Sequence, residues 1–392
     1  MTTLPTLEDI DLNGKRVLMR VDFNVPISAD GIDDDTRIRA CLPGIQQILQ
    51  GAERLIIMSH LGRPDEGKFA EPFSLQPVAA HLATLLDRPV RLCRNWREDL
   101  DKTQDAVVML ENIRFEKGEK TDADTLAREL ADLCDVYVND AFASTHRAHA
   151  STHGVAKYAP AVCAGPLLIA ELAALSKALL QPARPMLAIV AGAKVSTKLT
   201  LLENLLHKVD KLIVGGGIAN TFLLAAGYQI GHSLVETELV ETAGKLLQQA
   251  KEQGKEIPLP VDVVCGKKFD AGTEAVIRRL AEIEHDDLIM DVGPETAAMY
   301  GEIVNAAATI VWNGPPGVFE FEQFATGTRA LANAIAAANG FSIAGGGDTL
   351  SAIVKFGVRE QISCISTGGG AFLELLEGKT LPAVEILHNR RS

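Results

Sequence analysis

Short runs of aliphatic and β-branched residues alternate with longer amphipathic stretches along this whole chain, and that alternation restricts its fold more than any other feature. The runs 15–21, 54–59, 106–110, 136–138, 186–190, 211–214, 309–312, 342–344 and 362–366 read as strands. Between them, 125–133, 199–208 and 238–252 carry apolar residues at helical spacing. Strand, helix, strand is a crossover unit, and repeated crossovers build parallel sheets covered by helices. The expected class is therefore α/β with mainly parallel sheets. A chain of 392 residues divides naturally into domains with separate cores.

One boundary is visible. Residues 167–180 read as a single helix, stopped by the prolines of Gln181-Pro182-Ala183-Arg184-Pro185 before a new strand at Met186. This gives an N-terminal domain over 1–166, a linker helix and hinge over 167–184, and a C-terminal domain from 185.

Composition excludes several classes. With 47% hydrophobic and 23% charged residues, the chain reads as an ordinary soluble protein. Its start lacks the basic and apolar blocks of a secretory signal, and the most apolar helix is short and broken by Glu171 and Lys177. The expectation is a cytoplasmic protein without a membrane partner. Six scattered cysteines, none in CxxC spacing, suggest neither a zinc site nor a disulfide framework. A net charge of −13 argues against general nucleic-acid binding. On that acidic background, clustered basic residues stand out as a local anion site.

Such clusters occur where first-half strands end. One strand runs into Arg20-Val21-Asp22-Phe23-Asn24, another into His60-Leu61-Gly62-Arg63, a third into Asn112-Ile113-Arg114, and a fourth into Asn139-Asp140 and then His146-Arg147-Ala148-His149. Arg37 joins them from a loop. Singly, each arginine reads as a solvated or ion-paired surface residue. Four repetitions at strand ends instead predict several cations around one small anion, which guanidinium groups match bidentately. Asp22 and Asn24 either orient a hydroxyl-bearing anion or cap the following turn.

The second half carries glycine-rich turns. Strand 186–190 opens into Gly192-Ala193-Lys194-Val195-Ser196-Thr197-Lys198, whose two lysines, four apart, are expected on one face of a helix whose N-terminus meets phosphate. Neither a Walker A loop nor a GxGxxG motif is present, which disfavours a dinucleotide dehydrogenase. The glycines 215–217 let a flat base lie against backbone. The rigid Trp312–Glu320 loop ends in a carboxylate suited to ribose hydroxyls. Gly345-Gly346-Gly347-Asp348-Thr349 offers Asp348 to Mg²⁺ and Thr349 to phosphate, or else caps the next helix. A third turn, Ser366-Thr367-Gly368-Gly369-Gly370, places glycine amides before another helix.

Taken together and in this order, the motifs 20–26, 60–64, 111–115, 139–151, 192–199, 312–320, 345–349 and 366–371 resemble those of the phosphoglycerate kinase family over essentially the whole chain. The resemblance implies two Rossmann-like domains joined by a hinge helix: an N-terminal domain for 3-phosphoglycerate or 1,3-bisphosphoglycerate, and a C-terminal domain over 185–374 for Mg-ADP or Mg-ATP. It also implies that 375–392 returns to the N-terminal domain, and that the enzyme is a monomer.

By position, it assigns Asp22, Phe23, Asn24, Arg37, His60, Leu61, Gly62, Arg63, Arg114 and Arg147 to the phosphoglycerate. Lys198, Asn313, Glu320, Gly346, Gly347, Asp348 and Thr349 fall to the nucleotide, with Asp348 on the metal. Arg37, Lys194, Lys198 and the amide of Gly369 fall to the transferring phosphoryl group. Pro316, Ala191 and Thr197 depart from the family's usual residues and remove none of these charges. The reacting oxygens are already ionised, so the resemblance implies direct transfer with no general base and no phosphoenzyme. Two rival readings, a dehydrogenase and an exported two-lobed anion-binding protein, lack respectively the dinucleotide fingerprint and a signal peptide.

Overall fold

The computed structural model describes residues 4–29 and 31–390, and these form two compact units. One unit runs to Ala173 and takes the chain back from Thr380 onward; the other is Ala174–Lys379. The division falls inside the helix Pro166–Leu179, within the segment expected to be a linker. The return begins at Thr380, later than the expected 375. Phe372 and Leu376 of helix Gly369–Leu376 are buried in the second unit, and Asn204 Nδ2 holds the Leu376 carbonyl there. Arg391 and Ser392, which close the expected return, lie outside the described residues.

The first unit is built on a six-stranded parallel sheet. Its spatial order is Arg91–Cys93, Val107–Leu110, Arg54–Met58, Arg16–Arg20, Val136–Asn139, Ala161–Ala164. Strands Val107–Leu110 and Val136–Asn139 are buried at every position, because helices cover both faces of a parallel sheet. That burial is why continuous apolar runs betrayed them. Arg91–Cys93 and Ala161–Ala164 were not anticipated: three or four residues are too few to show a period. Val17, Met19, Ile38, Ile45, Ile57 and Val138 are among the residues that fill the core between this sheet and its helices.

The second unit has a five-stranded parallel sheet ordered Lys211–Gly215, Met186–Ala191, Thr309–Asn313, Phe341–Ala344, Cys364–Ile365. Leu187, Ile310, Trp312 and Leu331 lie in its core. This unit also contains an antiparallel sheet, Val276–Arg279, Asp262–Gly266, Leu288–Val292, that the sequence reading did not foresee. The outer strand Val276–Arg279 alternates half-buried and exposed residues, Val-Ile-Arg-Arg, and so lacks the apolar run of a central strand.

In both parallel sheets, successive strands first go one way from a central strand and then the other. The second sheet reverses between Met186–Ala191 and Thr309–Asn313, and the first between Arg16–Arg20 and Val136–Asn139. Loops diverge at such reversals and leave a crevice at the carboxyl ends of the strands, which is where ligands bind. The motifs singled out from the sequence follow those ends.

Candidate active site

In the first unit, the carboxyl edge of the sheet gathers cations around two acids. Arg20, the last residue of its strand, is only 1% exposed; its Nε donates to Ser151 Oγ at 3.0 Å and its Nη2 lies 3.1 Å from His60 Nδ1. Asp22 accepts from Arg37 Nη1 at 3.0 Å, from the Asn24 amide at 3.1 Å and from Ser144 Oγ at 3.3 Å. Arg37 stands in the first turn of helix Thr36–Ile48, not in a loop as expected, because the helix begins one residue before it. Arg114 Nη1 donates to the Gly62 carbonyl, and Arg147 Nε to His146 Nε2 at 3.0 Å.

Electrostatics tie these groups to one space. Burial pushes the Asp22 carboxyl up, but His60 once it is protonated, together with the guanidinium charges of Arg37 and Arg20, outweighs it and holds Asp22 at about 2. Burial and the repulsion of Arg20 and Arg147 bring Arg114 down to about 10. Burial drives His60 well below its ordinary value against the pull of Asp22, and Arg20, Arg114 and Arg37 push the same way. His149 falls to about 4 through burial and through Arg20, Arg114 and Arg147. The arginines therefore feel one another and hold the histidines neutral, and an anion between them relieves the repulsion.

The remaining expected residues behave differently. Arg63 is exposed and makes no hydrogen bond or ion pair among the described residues. Phe23 and Leu61 bury their side chains and meet the site through backbone: the Phe23 amide donates to Ser59 Oγ at 2.8 Å, and the Leu61 carbonyl accepts from Asn112 Nδ2 at 2.7 Å. Gly62 donates to Asn24 Oδ1 at 2.8 Å with φ +60°, and a Cβ there would lie 2.4 Å from the Phe73 ring. The sequence reading counted Arg20 and His149 among the strand-end cations without assigning either to the substrate, and it did not single out Glu119 or Ser151. Arg20 had a signal, since an arginine closing an apolar strand must be paired if buried. Glu119 had none, because Glu116-Lys117-Gly118-Glu119-Lys120 reads as a solvated charge run.

In the second unit, Lys198 marks the point where the strand order reverses. Its Nζ donates to the Ala191 carbonyl at 2.5 Å and to Asn313 Oδ1 at 2.7 Å, so it joins the ends of two neighbouring strands whose loops diverge. Burial lowers its pKa to about 8, against the opposing charge of Asp348. The expectation that Lys194 and Lys198 share a helical face is not met. Residues 195–198 form a turn, with the Lys198 amide on the Val195 carbonyl at 2.8 Å, and the helix starts only at Leu199. Lys194 is left exposed, with its carbonyl receiving Thr197 Oγ1 at 2.9 Å.

Asn313 in turn donates to the Gly345 carbonyl at 2.7 Å, which links the third loop to the same point. Gly346 adopts φ +103°, and a Cβ there would approach Asn313 Nδ2 to 2.8 Å. Helix Gly347–Phe356 follows, so its first amides, those of Gly347, Asp348 and Thr349, have no partner within the helix. The Thr349 hydroxyl is already committed: it accepts from the Gly314 amide at 2.7 Å and donates to the Gly345 carbonyl at 3.0 Å. What this turn offers a phosphate is therefore backbone, not the threonine proton. Helix Gly369–Leu376 presents a second glycine N-terminus, with open space beside Gly369.

A cavity of about 840 Å³ lies beside these loops, lined by Gly216, Gly217, Leu234, Met290, Pro316 and Val318 among others. Glu320, Asp348 and Asp291 supply its carboxylates. The departure at Pro316 fits this wall, because its carbonyl accepts the Gly216 amide at 3.0 Å and the contact needs no side-chain group. Leu234, Met290 and Val318 were not legible as cavity residues, since isolated apolar residues look the same in any core.

A largely apolar cavity beside glycine-rich turns and the first turn of helix Gly347–Phe356 suits a nucleotide, and the cation cluster of the other unit suits a small, highly charged anion. Kinases combine the two, and their catalysis consists of positioning phosphate and neutralising its charge. A model of the phosphoglycerate kinase family matches residues 7–379. The chain is also similar to the solved structure of phosphoglycerate kinase from Coxiella burnetii, with 49% identity, complete coverage of both chains and a TM-score of 0.93. For phosphoglycerate kinase from Pyrococcus horikoshii OT3 the identity is 33%, the coverage 99% of this chain and 100% of that one, and the TM-score 0.82. The chain belongs to the phosphoglycerate kinase family and is a transferase of glycolysis.

Proposed function

We propose that this enzyme catalyses the reversible, Mg²⁺-dependent reaction of 1,3-bisphosphoglycerate and ADP to 3-phosphoglycerate and ATP. The observation that carries the site assignment is Lys198, whose ammonium joins the strand ends Ala191 and Asn313 at the sheet reversal. The phosphoglycerate binds in the first unit to Asp22, Asn24, Arg37, His60, Arg63, Arg114 and Arg147, with backbone from Phe23, Leu61 and Gly62. The nucleotide base enters the apolar cavity of the second unit, Glu320 takes the ribose, and Asn313, Lys198 and the amides of 346–349 hold the phosphates.

Asp348 is the residue suited to Mg²⁺. Its carboxylate is exposed in the first helical turn, lines the nucleotide cavity and is near enough to act on Lys198. One carboxylate with phosphate oxygens and water is the usual coordination for this ion. When bound, Mg²⁺ supplies neutralisation of the phosphate oxygens. Lys194, Lys198, Arg37 and the Gly369 amide neutralise the phosphoryl group in flight. The attacking oxygen, a carboxylate or a phosphate, is ionised near neutrality, so transfer is direct and needs neither base nor covalent intermediate.

Because donor and acceptor are assigned to different units, transfer requires a closed conformation, with helix Pro166–Leu179 as the hinge. Scattering profiles that stay identical with and without both substrates would remove the hinge. The enzyme works as a cytoplasmic monomer on these small molecules, without nucleic acid or membrane. No helix among the described residues is long and apolar enough to cross a bilayer.

The deciding assay is ATP-dependent phosphorylation of 3-phosphoglycerate, coupled to a dehydrogenase that consumes the acyl phosphate, with and without Mg²⁺. Metal-dependent turnover that Lys198→Ala lowers about a hundredfold or more is the expected result. Folded protein that binds ATP but gives no turnover would redirect the search to other acyl-phosphate acceptors.

A further inference from the structure

Behind the cation cluster of the first unit runs a chain of hydrogen bonds that the proposed substrate contacts do not use. Glu119 is fully buried, and both of its oxygens accept from Ser151: Oε2 from the amide at 2.9 Å and Oε1 from the hydroxyl at 2.6 Å. Its own carbonyl takes the Ala150 amide at 2.9 Å, and His149 Nδ1 lies 3.6 Å from its carboxylate. The Ser151 hydroxyl then accepts from Arg20 Nε at 3.0 Å, and Arg20 Nη1 donates to the Val21 carbonyl. Arg20 Nη2 completes the chain at His60 Nδ1, 3.1 Å away.

Charge sets the directions in this chain. Arg20 Nε can only donate, so a lone pair of Ser151 Oγ faces it, and an ionised Glu119 beside Arg20 takes the Ser151 proton. A guanidinium has no acceptor, so Nη2 can only donate, and His60 Nδ1 must be the acceptor. A ring that accepts at Nδ1 and is neutral carries its proton on Nε2. Nε2 has no hydrogen-bond partner among the described residues, which leaves that N–H available.

We propose that Glu119, Ser151 and Arg20 form a positioning relay that locks His60 in the Nε2–H tautomer, so that His60 meets phosphoglycerate as a neutral hydrogen-bond donor. The proposal rests on the assignment of His60 to the substrate made above. The other tautomer would set an N–H against the Arg20 N–H and strand both donors in a buried site. The charged groups that act on His60 are Asp22, which favours its protonation, and Arg20, Arg114 and Arg37, which oppose it. Burial adds to the opposition, and the ring stays neutral well below its ordinary value. Glu119 faces Arg20, Arg114 and Ser151, and these offset part of the cost of burying its charge.

The relay is tested by the imidazole ¹⁵N shifts of His60 in protein labelled with ¹⁵N-histidine, assigned by the loss of one signal in His60→Gln. The expected spectrum is a neutral ring with Nδ1 unprotonated and Nε2 protonated, unchanged from pH 8 to pH 6. An Nδ1–H ring, or an imidazolium that forms in that range, overturns the proposal without any further variant. Ser151→Ala should give mixed tautomers, a titration moved up toward the ordinary histidine range, and a KM for 3-phosphoglycerate raised about tenfold with the KM for ATP unchanged. Ser151→Thr, which keeps the hydroxyl, should restore the parent spectrum and KM.

Should Ser151→Ala fail to fold, Glu119→Gln gives the same reading, because an amide cannot accept from Ser151 at both positions. A parent-like spectrum in a folded relay variant overturns the relay. A shifted spectrum with an unchanged KM for 3-phosphoglycerate overturns the placement of His60 at the substrate, which separates that failure from failure of the relay.

Discussion

Nζ of Lys198 lies 2.5 Å from the Ala191 carbonyl and 2.7 Å from Asn313 Oδ1, so a single ammonium ties together the ends of two paired parallel strands. Its two oxygen partners hold the lysine at one spot, and a phosphate arriving there would share its remaining donor. Lys198→Ala should lower kcat/KM about a hundredfold or more, as the loss of one preorganised charge on a developing phosphate does. Lys198→Arg should recover little of this, since a planar fork does not reproduce the point charge. Steady-state kinetics with saturating 3-phosphoglycerate distinguish the variants, and parent-like activity in Lys198→Ala would remove it from the site.

Gly346 sits in a backbone region that side chains rarely enter, with Asn313 Nδ2 where a Cβ would need to be. Gly346→Ala should destabilise the protein by about 1–3 kcal/mol. Because Asn313 also holds Lys198, the KM for ATP should rise while that for 3-phosphoglycerate stays constant. Urea unfolding and the two KM values check both halves of the prediction.

Asp22 makes part of the stability depend on acid. Its folded carboxyl titrates at about 2 against 3.8 for the free group, so folding favours the ionised form. The contribution is complete above pH 3.8, amounts to on the order of 2 kcal/mol, and disappears as the pH falls toward 2. The stability difference between the parent and Asp22→Asn, followed by denaturant unfolding, should therefore shrink across that window. A constant difference from pH 5 downward would contradict the assignment.

Arg37 and Arg63 should separate in kinetics. Arg37 is bonded to Asp22 and to the Asn24 carbonyl at 3.3 Å, whereas Arg63 is exposed and makes no hydrogen bond or ion pair among the described residues. Arg37→Ala should lower kcat and raise the KM for phosphoglycerate together; Arg63→Ala should mainly raise KM, by about tenfold. Equal kcat for Arg37→Ala and the parent would exclude Arg37 from the transferring group.

Asp348→Asn should raise the Mg²⁺ concentration needed for half-maximal activity and leave binding of 3-phosphoglycerate unchanged. Titration of activity with Mg²⁺ at fixed ATP reads the first effect directly. An unaltered Mg²⁺ requirement would transfer the metal to another group.

The central strands were legible because a parallel sheet buried on both faces demands unbroken apolar runs, as in Val-Val-Met-Leu of 107–110. The antiparallel strand Val276–Arg279 was not, since one of its faces meets solvent and its four residues end in two arginines. Within the site, Asp22 and Arg114 stood out because charges recur just past the first-half strand ends, whereas Arg37 was singled out from an expected loop and Lys198 from a glycine-rich turn. Lys194 and Lys198 were misplaced on a helix because spacing alone does not reveal where a helix starts; the turn at 195–198 intervenes. Glu119 escaped notice because its partner Ser151 lies 32 residues further along the chain, a distance over which sequence spacing carries no information.

The helix Pro382–Asn389 belongs to the first unit but follows the entire second unit in the chain. Ala383 and Leu387 are fully buried there, the Ala383 amide donates to the Thr145 carbonyl at 3.1 Å, and Arg390 reaches the Ala159 carbonyl at 2.7 Å. During synthesis, then, the first unit emerges first yet lacks this helix until the second unit has been made, with the segment that carries Arg147 unsealed. The second unit, continuous in sequence, can finish folding before it. The part translated first is thus the part completed last.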